Sequence, residues 1–200
     1  MTSRRGWVEP VTLEGRWVRL EPLTLEHVAG LAEVGLEPAI WKWMPRLIRT
    51  PAEMSEFIQE GLAAQAAGEQ LPFATIERAS GRLVGSTRYL SIEPAHRRLE
   101  IGYTWIAPPW QGSAVNPESK LLLLGHAFDV LGANRVEFKT DSRNERSRRA
   151  LLGIGALEEG TLRNHMVTHA PGLRHSVYFS VVAEEWPAMR RRLEERLAAQ

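Results

Sequence analysis

The chain has 200 residues, of which 25 are Lys or Arg and 24 are Asp or Glu, while 44% are hydrophobic. A chain of this length and composition can bury a sizeable core, and it is not of the kind that stays disordered. The near balance of charge lacks the positive surplus that is typical of a dedicated nucleic-acid binder. Because the chain contains no cysteine, disulfides, thiolate metal ligands and a cysteine nucleophile are excluded.

No apolar stretch approaches the roughly 20 residues that a membrane span needs. The opening MTSRRGWVEP also lacks the apolar centre of a signal peptide. These observations predict a cytoplasmic protein without a membrane partner. No repeat, low-complexity tract or long linker interrupts the chain, so we expect one domain over residues 1–200.

The first third of the chain predicts one strand and two helices. The apolar alternation of RWVRLEP predicts a strand over 16–22, and Thr24 can cap a helix that runs to about Gly35. A Trp-rich, irregular segment follows over 37–49. The capping box that begins at Thr50, with a proline at the first helical position, then predicts a second helix ending near Gly68.

Three strands are expected next. The segments LPFATIER and RLVGSTRYLSIEP alternate in hydrophobicity, and Ala79-Ser80-Gly81 between them suits a hairpin turn. RRLEIGYTWIAP forms the third strand. Strict alternation predicts that one of its faces carries Leu99, Ile101, Tyr103 and Trp105, and the other Glu100, Gly102 and Thr104.

The second half of the chain predicts helices and strands in alternation. A helix from Asn116 to about Gly132, a strand over 135–140 and a short helix from Asn144 to Leu152 are expected. Strands over 157–168 and 174–183 precede a terminal helix over about 184–199, with an apolar stripe of Trp186, Met189, Leu193 and Leu197. This order is typical of an α+β fold with a mainly antiparallel, seven-stranded sheet and helices on both faces.

The segment TWIAPPWQGSAVNPESK is the most informative part of the sequence. A strand breaks at Pro108-Pro109, small residues follow, and a helix begins near Asn116. Small side chains let backbone N–H groups approach a ligand closely, and the start of a helix attracts an anion such as a diphosphate. An ordinary strand-to-helix loop has the same spacing, which by itself favours that plainer interpretation. The segment ends in Lys120 but lacks the P-loop pattern.

The downstream sequence resembles a known family. NRVEFKTDSRNERSRRALLGIGALEEGTLRNH, followed by HSVYFSVVAEEW, is similar to the GNAT acetyltransferases of the RimJ/RimL-type branch, and the opening LEGRWVRLEPLT extends the resemblance over roughly residues 12–187. The residues that carry it are Asn144, Ser147, Gly155, Glu159, Gly160, Arg163, Glu185 and Trp186. The resemblance implies the GNAT fold, with a sheet that splays at its centre. It also implies direct transfer of an acetyl group from acetyl-CoA to an amine.

The resemblance also assigns coenzyme-binding residues. The loop WQGSAVN would hold the diphosphate through Gln111, Gly112, Ser113, Ala114, Val115 and Asn116, of which Ala114 and Asn116 depart from the family pattern. Main-chain groups of Trp105, Ile106 and Ala107 would pair with the pantetheine. Asn144 would contact the pantetheine or acetyl end and Ser147 would lie near the sulfur. The plainer alternative is that Asn144 only caps a helix and that Ser147 is a hydrogen-bonding residue at its start.

Glu100 is the candidate general base. A lysine-type amine with a pKa of ~10.4 is neutral in only about one molecule in 2,500 at pH 7, so its deprotonation needs assistance. The alternative for Glu100 is a surface carboxylate paired with Arg97 or Arg98. Residues 144–152 contain no tyrosine, which leaves Ser147 as the hydroxyl available to assist the departing thiolate. A thiol of pKa ~8.5 leaves readily, so such assistance adds little.

Trp41, Trp43 and Met44 are predicted to wall the acceptor site, and packing in the core or in a lid is the alternative. The resemblance implies an acceptor that is either a protein N-terminal amine or a small-molecule amine. A non-catalytic acyl-CoA-binding module is the rival function. No metal is expected, since His165 and His169 would lie ~13 Å apart on a strand. Nucleic-acid binding is disfavoured although Arg143, Arg146, Arg148 and Arg149 cluster in sequence. The terminal helix could pack on its own domain or form a homodimer.

Overall fold

The computed structural model describes residues 6–199. Residues 1–5 and residue 200 lie outside this range. The expectation of no signal peptide, and the two ends of the expected single domain, therefore fall partly outside the described residues. Between residues 6 and 199, no helix is both long and apolar enough to cross a bilayer.

One sheet of eight strands forms the centre of the described structure, in the order β1-β2-β3-β4-β5-β6-β8-β7. The strands are β1 (Leu13–Glu14), β2 (Val18–Pro22), β3 (Leu71–Glu77), β4 (Leu83–Glu93), β5 (Arg98–Ile106), β6 (Arg135–Asp141), β7 (Leu157–Met166) and β8 (Arg174–Val182). All neighbours are antiparallel except β5 and β6, which are parallel. The α+β prediction is confirmed. Its count of seven strands is wrong by one, because the two-residue strand β1 is too short to show an alternation.

Five of the six α-helices of the described residues lie close to their predicted positions, whereas the short helix α2 (Pro38–Trp41) lies in the segment that was predicted to be irregular. The six are α1 (Val28–Gly35), α2 (Pro38–Trp41), α3 (Pro51–Ala66), α4 (Val115–Gly125), α5 (Glu145–Ile154) and α6 (Trp186–Ala198). In the expected capping box of α3, the Thr50 hydroxyl accepts from the Glu53 amide and the Glu53 carboxylate accepts from the Thr50 amide. Helix α4 begins one residue before Asn116 and continues into a π-helical turn over His126–Val130. Asn116 therefore lies inside the first turn and does not cap it.

Two apolar clusters cover opposite faces of the sheet. One contains Leu123 and Leu124 of α4, Leu151 of α5 and the terminal-helix residues Trp186 and Met189. The other joins α1, α2 and α3 to the sheet through residues that include Leu31, Trp41, Met54, Phe57 and Trp105. Helices on both faces are thus confirmed, and α6 packs on its own chain.

A β-bulge in β5 changes which side chains face each cluster. Ser86 of β4 pairs with Trp105, but Arg88 pairs with Gly102, so β5 carries one extra residue. Tyr103 at this position has a φ of 49°, which is uncommon for a residue other than glycine. As a result Leu99 and Ile101 pack in the cluster beside α4, whereas Tyr103 and Trp105 pack in the cluster beside α1 and α3. The predicted common face of these four residues is wrong, because the bulge shifts the two-residue period.

Strands β5 and β6 are paired only at their beginnings. The ladder joins Arg98 to Arg135, Leu99 to Val136 and Glu100 to Glu137, and no pair follows. Beyond this point β5 continues beside β4, and β6 continues beside β8. The expected splay at the centre of the sheet is therefore present, and it begins at Glu100.

Candidate active site

A cavity of about 490 Å³ lies in the gap between the diverging strands. Of the residues singled out in the sequence, those that line it are Trp43, Met44, Glu100, Trp105, Ile106, Gln111, Gly112, Ser113, Asn116, Asn144 and Ser147. Those that do not line it are Trp41, Ala107, Ala114 and Val115. The cavity thus extends from the loop before α4 to the Trp-rich segment after α2.

The loop before α4 presents free backbone amides at a helix start. Its Gly112 has a φ of 81°, in the left-handed region that glycine adopts without strain. The Ser113 hydroxyl donates to the Trp110 carbonyl and accepts from the Val115 amide at 3.2 Å. Within residues 6–199, no protein acceptor is recorded for the amides of Gly112, Ser113, Ala114 and Asn116. These donors, at the positive end of the α4 dipole, suit an anionic ligand.

Two arginines of neighbouring helices, Arg146 of α5 and Arg196 of α6, line the cavity. Of these, Arg146 contacts the loop before α4. The Arg146 guanidinium donates to the Gln111 side-chain oxygen, while the Gln111 side-chain nitrogen donates to the Ile106 carbonyl at 2.7 Å. Gln111 therefore connects the loop to β5 and to α5.

Two of the main-chain positions assigned to pantetheine pairing already have partners. The Ile106 carbonyl accepts from Gln111, and the Ala107 amide donates to the Val84 carbonyl at 2.8 Å. Ala107 also lies outside the cavity, because the chain here still follows β4. Ala114 and Val115 face a separate surface cavity of about 600 Å³, which is also lined by Arg16 and Arg78 among others.

Glu100 is a buried carboxylate at the point where the strands separate. It is 3% exposed, and the Lys139 ammonium lies 3.3 Å from its Oε2 atom. Burial raises the pKa of Glu100, while the charges of Lys139 and Arg174 partly oppose this shift. The alternative pairing with Arg98 does not occur, since Arg98 faces Glu93 and Glu137. A carboxyl group with a raised pKa beside a cavity is suited to accepting a proton near neutral pH.

The start of α5 supplies Asn144 and Ser147 to the cavity. The Asn144 side-chain oxygen accepts from the Ser147 amide at 3.1 Å, so Asn144 caps the helix while it lines the cavity. Nearby arginines are mostly paired: Arg143 contacts Asp141 at 2.7 Å and Arg148 contacts Glu158 at 3.2 Å. These pairs reduce the positive surface that a polyanion would need.

The Trp-rich segment contributes two of its three predicted residues to the cavity. Trp43 and Met44 line it, and the Trp43 carbonyl accepts from Arg174 at 3.3 Å. Trp41 is instead fully buried, with its indole N–H donating to the Gly35 carbonyl and its ring 5.4 Å from that of Phe57. Trp41 belongs to the core because α2 turns it toward α3, a turn that the irregular sequence pattern did not reveal.

The cations that line the cavity were not predicted as site residues: besides Arg146 and Arg196 they are Lys120, Lys139 and Arg174. Lys139 and Arg174 lie at the Glu100 end, and Lys120 reaches the gap from α4. The place of Lys139 could have been predicted from its strand. Val136 and Phe138 face the core, so the alternation of β6 puts Lys139 on the opposite face. Arg174 and Lys120 carry no such signal, because their places depend on β8 and α4 packing around β6.

Comparison with known proteins shows the family to which the chain belongs. The family model described as "Acetyltransferase (GNAT) domain" matches residues 18–156. The Bacillus subtilis protein named "Putative ribosomal N-acetyltransferase YdaF" is 35% identical over 107 residues, which are 53% of this chain and 57% of that protein. The match thus spans little more than half the length of that curated relative.

Solved structures match over nearly the whole chain. A GCN5-related N-acetyltransferase from Brucella melitensis is 32% identical with a TM-score of 0.88, over 96% of this chain and 88% of that one. RimJ from Mycobacterium smegmatis, in complex with CoA-disulfide, has the same fold with a TM-score of 0.81 at 23% identity, over 94% and 95% of the two chains. Because the family model covers more than half of the sequence, the chain belongs to the GNAT acetyltransferase family, as the motifs from Asn144 to Trp186 predicted.

Proposed function

We propose that the protein transfers the acetyl group of acetyl-CoA directly to a primary amine. The observation that carries this proposal is that one cavity joins the start of α4, with its free backbone amides, to a buried carboxylate across the gap between β5 and β6. Acetyl-CoA supplies a thioester whose carbonyl carbon accepts the amine nitrogen. A long, narrow co-substrate with phosphates at one end and a reactive carbonyl at the other fits these two features.

The phosphate end is proposed to lie at the loop before α4. The amides of Gly112, Ser113 and Asn116, for which residues 6–199 supply no acceptor, would donate to the diphosphate, and Arg146 and Arg196 would supply opposing charge. These residues bind and orient, and they take no part in proton transfer.

The amine end is proposed to lie between Glu100 and the apolar walls formed by Trp43 and Met44. Glu100 would take the proton that the attacking nitrogen loses, directly or through a water molecule. The Lys139 ammonium lies 3.3 Å from the carboxylate and opposes the rise in the pKa of Glu100 that burial causes. Trp43 and Met44 present apolar surface beside the proposed position of the amine.

The acceptor is proposed to be a protein N-terminal amine or a small-molecule amine. An N-terminal amine with a pKa near 8 is neutral in about one molecule in ten at pH 7, whereas a lysine-type amine needs far more help from the base. Dependence on Glu100 should therefore increase with the basicity of the acceptor.

Two measurements test the proposal. Calorimetry with coenzyme A measures binding, and release of free thiol from acetyl-CoA measures transfer to a panel of peptides with free N-termini, polyamines and amino acids. Binding together with thiol release that requires one class of amine supports the proposal. Coenzyme binding without turnover on any amine would instead identify a non-catalytic acyl-CoA-binding module.

A further inference from the structure

Lys120 is a buried amine in the gap between the two diverging strands. It is 5% exposed, and its Nζ atom lies 3.0 Å from the Thr104 hydroxyl on β5 and 5.5 Å from the centre of the Phe138 ring on β6. Both neighbours lie beyond Glu100 and Glu137, which form the last pair of residues between β5 and β6. The side chain of Lys120 therefore reaches into the gap itself, and it lines the cavity.

The hydrogen bonding around Lys120 leaves part of its amine free. Thr104 accepts from Lys120, and its hydroxyl also lies 2.8 Å from the Thr87 hydroxyl, to which it can donate its own hydrogen. The other N–H bonds of the amine have no recorded partner within residues 6–199. They remain available to a group that enters the cavity.

The charge of Lys120 has no carboxylate beside it in the described part of the chain. Glu118 on the same helix faces the backbone before β2, and Tyr89 of β4 donates to the Leu123 carbonyl. The charged groups that share the cavity with it are Glu100, Lys139, Arg146, Arg174 and Arg196. Burial lowers the pKa of Lys120 to about 7, and no carboxylate of the described residues lies close enough to raise it again. A methionine would fill this space without the cost of burying an amine, so packing alone does not account for Lys120.

Lys120 and Glu100 approach the gap from opposite faces of the sheet. Glu100 alternates with Leu99 and Ile101, which pack on the α4 side, so its side chain points to the face of Trp43 and Lys139. The bulge at Tyr103 reverses the alternation and turns Thr104 toward α4, where Lys120 meets it. The cavity therefore has one titratable group on its acceptor face and another on the face of α4.

We propose that Lys120 donates a proton to the departing thiolate of coenzyme A, a role that rests on the proposed acetyl transfer. The amine nitrogen forms a bond to the acetyl carbon, the carbon–sulfur bond breaks with its electron pair on sulfur, and the Lys120 ammonium gives one proton to that sulfur. Glu100 takes one proton from the attacking nitrogen. Solvent then protonates Lys120 and deprotonates Glu100, which restores the enzyme.

Ser147 is the other candidate for this step. A serine hydroxyl is a weaker acid than a thiol, so Ser147 can donate a hydrogen bond to sulfur but does not yield its proton. A protonated amine of pKa about 7 is a stronger acid than a thiol of pKa ~8.5 and can yield one.

The first test locates Lys120 relative to the sulfur without measuring activity. The chain has three lysines, Lys42, Lys120 and Lys139, so protein labelled with ¹³C at the lysine ε-carbon gives three signals. The signal missing from Lys120→Gln identifies Lys120. We expect its titration midpoint to be higher, by about half a unit, with coenzyme A than with desulfo-coenzyme A, because only the former places an ionisable sulfur beside the amine. Equal midpoints in the two complexes would overturn the proposal.

The second test separates proton donation from a structural role. Lys120→Gln keeps a hydrogen-bond donor for Thr104 but has no acidic proton. We expect kcat to fall at least about tenfold and the decrease in rate above pH 7 to disappear, with coenzyme affinity within about twofold of the parent protein. Thermal unfolding verifies that the variant folds, and Lys42→Gln controls for the loss of an exposed lysine.

The outcomes distinguish this proposal from the proposed function. An unaltered kcat and pH profile in Lys120→Gln would overturn the role of Lys120 while leaving acetyl transfer intact. Absence of transfer by the parent protein to every amine would overturn the function itself, and the role of Lys120 with it.

Discussion

Lys139 Nζ lies 3.3 Å from Glu100 Oε2 at the place where β5 and β6 cease to pair. Burial raises the pKa of this carboxyl and the neighbouring ammonium lowers it. The pair thus sets the pH range over which the carboxylate can accept a proton.

Replacing Glu100 should slow the enzyme most with strongly basic amines. We expect Glu100→Gln to lower kcat/KM at least about tenfold for a lysine-type amine, and clearly less for an N-terminal amine, because the latter is more often neutral. Glu137→Gln is the matched control. Glu137 lies on β6 beside Glu100, but it forms ion pairs with Arg135 of its own strand and with Arg98 of β5. Equal losses for both classes of amine would contradict the assignment of Glu100 as base.

Removing the Lys139 charge should shift the pH dependence of the reaction. The ammonium stabilises the ionised form of Glu100, so Lys139→Met is expected to raise the pKa of Glu100 further. The acidic limb of the kcat/KM profile should then move to higher pH, which steady-state rates between pH 5 and 9 would measure. A limb that stays in place would show that Glu100 does not control it.

Gly112 should be needed for coenzyme binding because of its backbone conformation. With a φ of 81°, Gly112→Ala costs about 1 kcal/mol of strain, and relief of that strain would turn the loop amides away from the ligand. We expect at least about fivefold weaker coenzyme A binding by calorimetry. Gly68→Ala is the control, since Gly68 has a φ of 75° at the exposed end of α3. A similar loss of affinity in both variants would point to general destabilisation.

Glu118 should stabilise the fold rather than the reaction. Its carboxylate accepts from the amides of Arg16, Trp17 and Val18 at 2.7 to 2.8 Å, and a side chain at Gly15 would meet it at 2.3 Å. We expect Glu118→Gln to lower the free energy of unfolding by about 2 kcal/mol, measured by urea denaturation. The same change at the exposed Glu9 should have little effect. If Glu118→Gln were as stable as the parent protein, the structural role of Glu118 would be refuted.

Lys120 should make the free energy of unfolding depend on pH between about 7 and 10.5. Its folded pKa of about 7 lies below its ordinary value of 10.5, so the unfolded chain binds more protons between these limits and stability rises with pH there. We expect Lys120→Met to be more stable than the parent protein at pH 7, by a few kcal/mol, with the difference shrinking toward pH 10. Denaturation at several pH values measures this difference, and a constant difference would contradict the depressed pKa.

The sequence alone determined the fold class, the order of the elements and the family. These properties depend on local signals: the capping box at Thr50, the alternation of the strands, and the ordered motif from Asn144 to Trp186. The splay followed from the family resemblance, and the candidate base at Glu100 from its place on the polar face of one strand.

Only the tertiary structure decided which side chains meet in the gap. A single extra residue at Tyr103 reverses the alternation of β5, and this places Thr104 beside Lys120 on the face opposite Glu100. The burial of Trp41 likewise depends on α2 packing against α3. Such outcomes arise because a bulge and a helix–helix contact are set by partners distant in sequence, which no local period encodes.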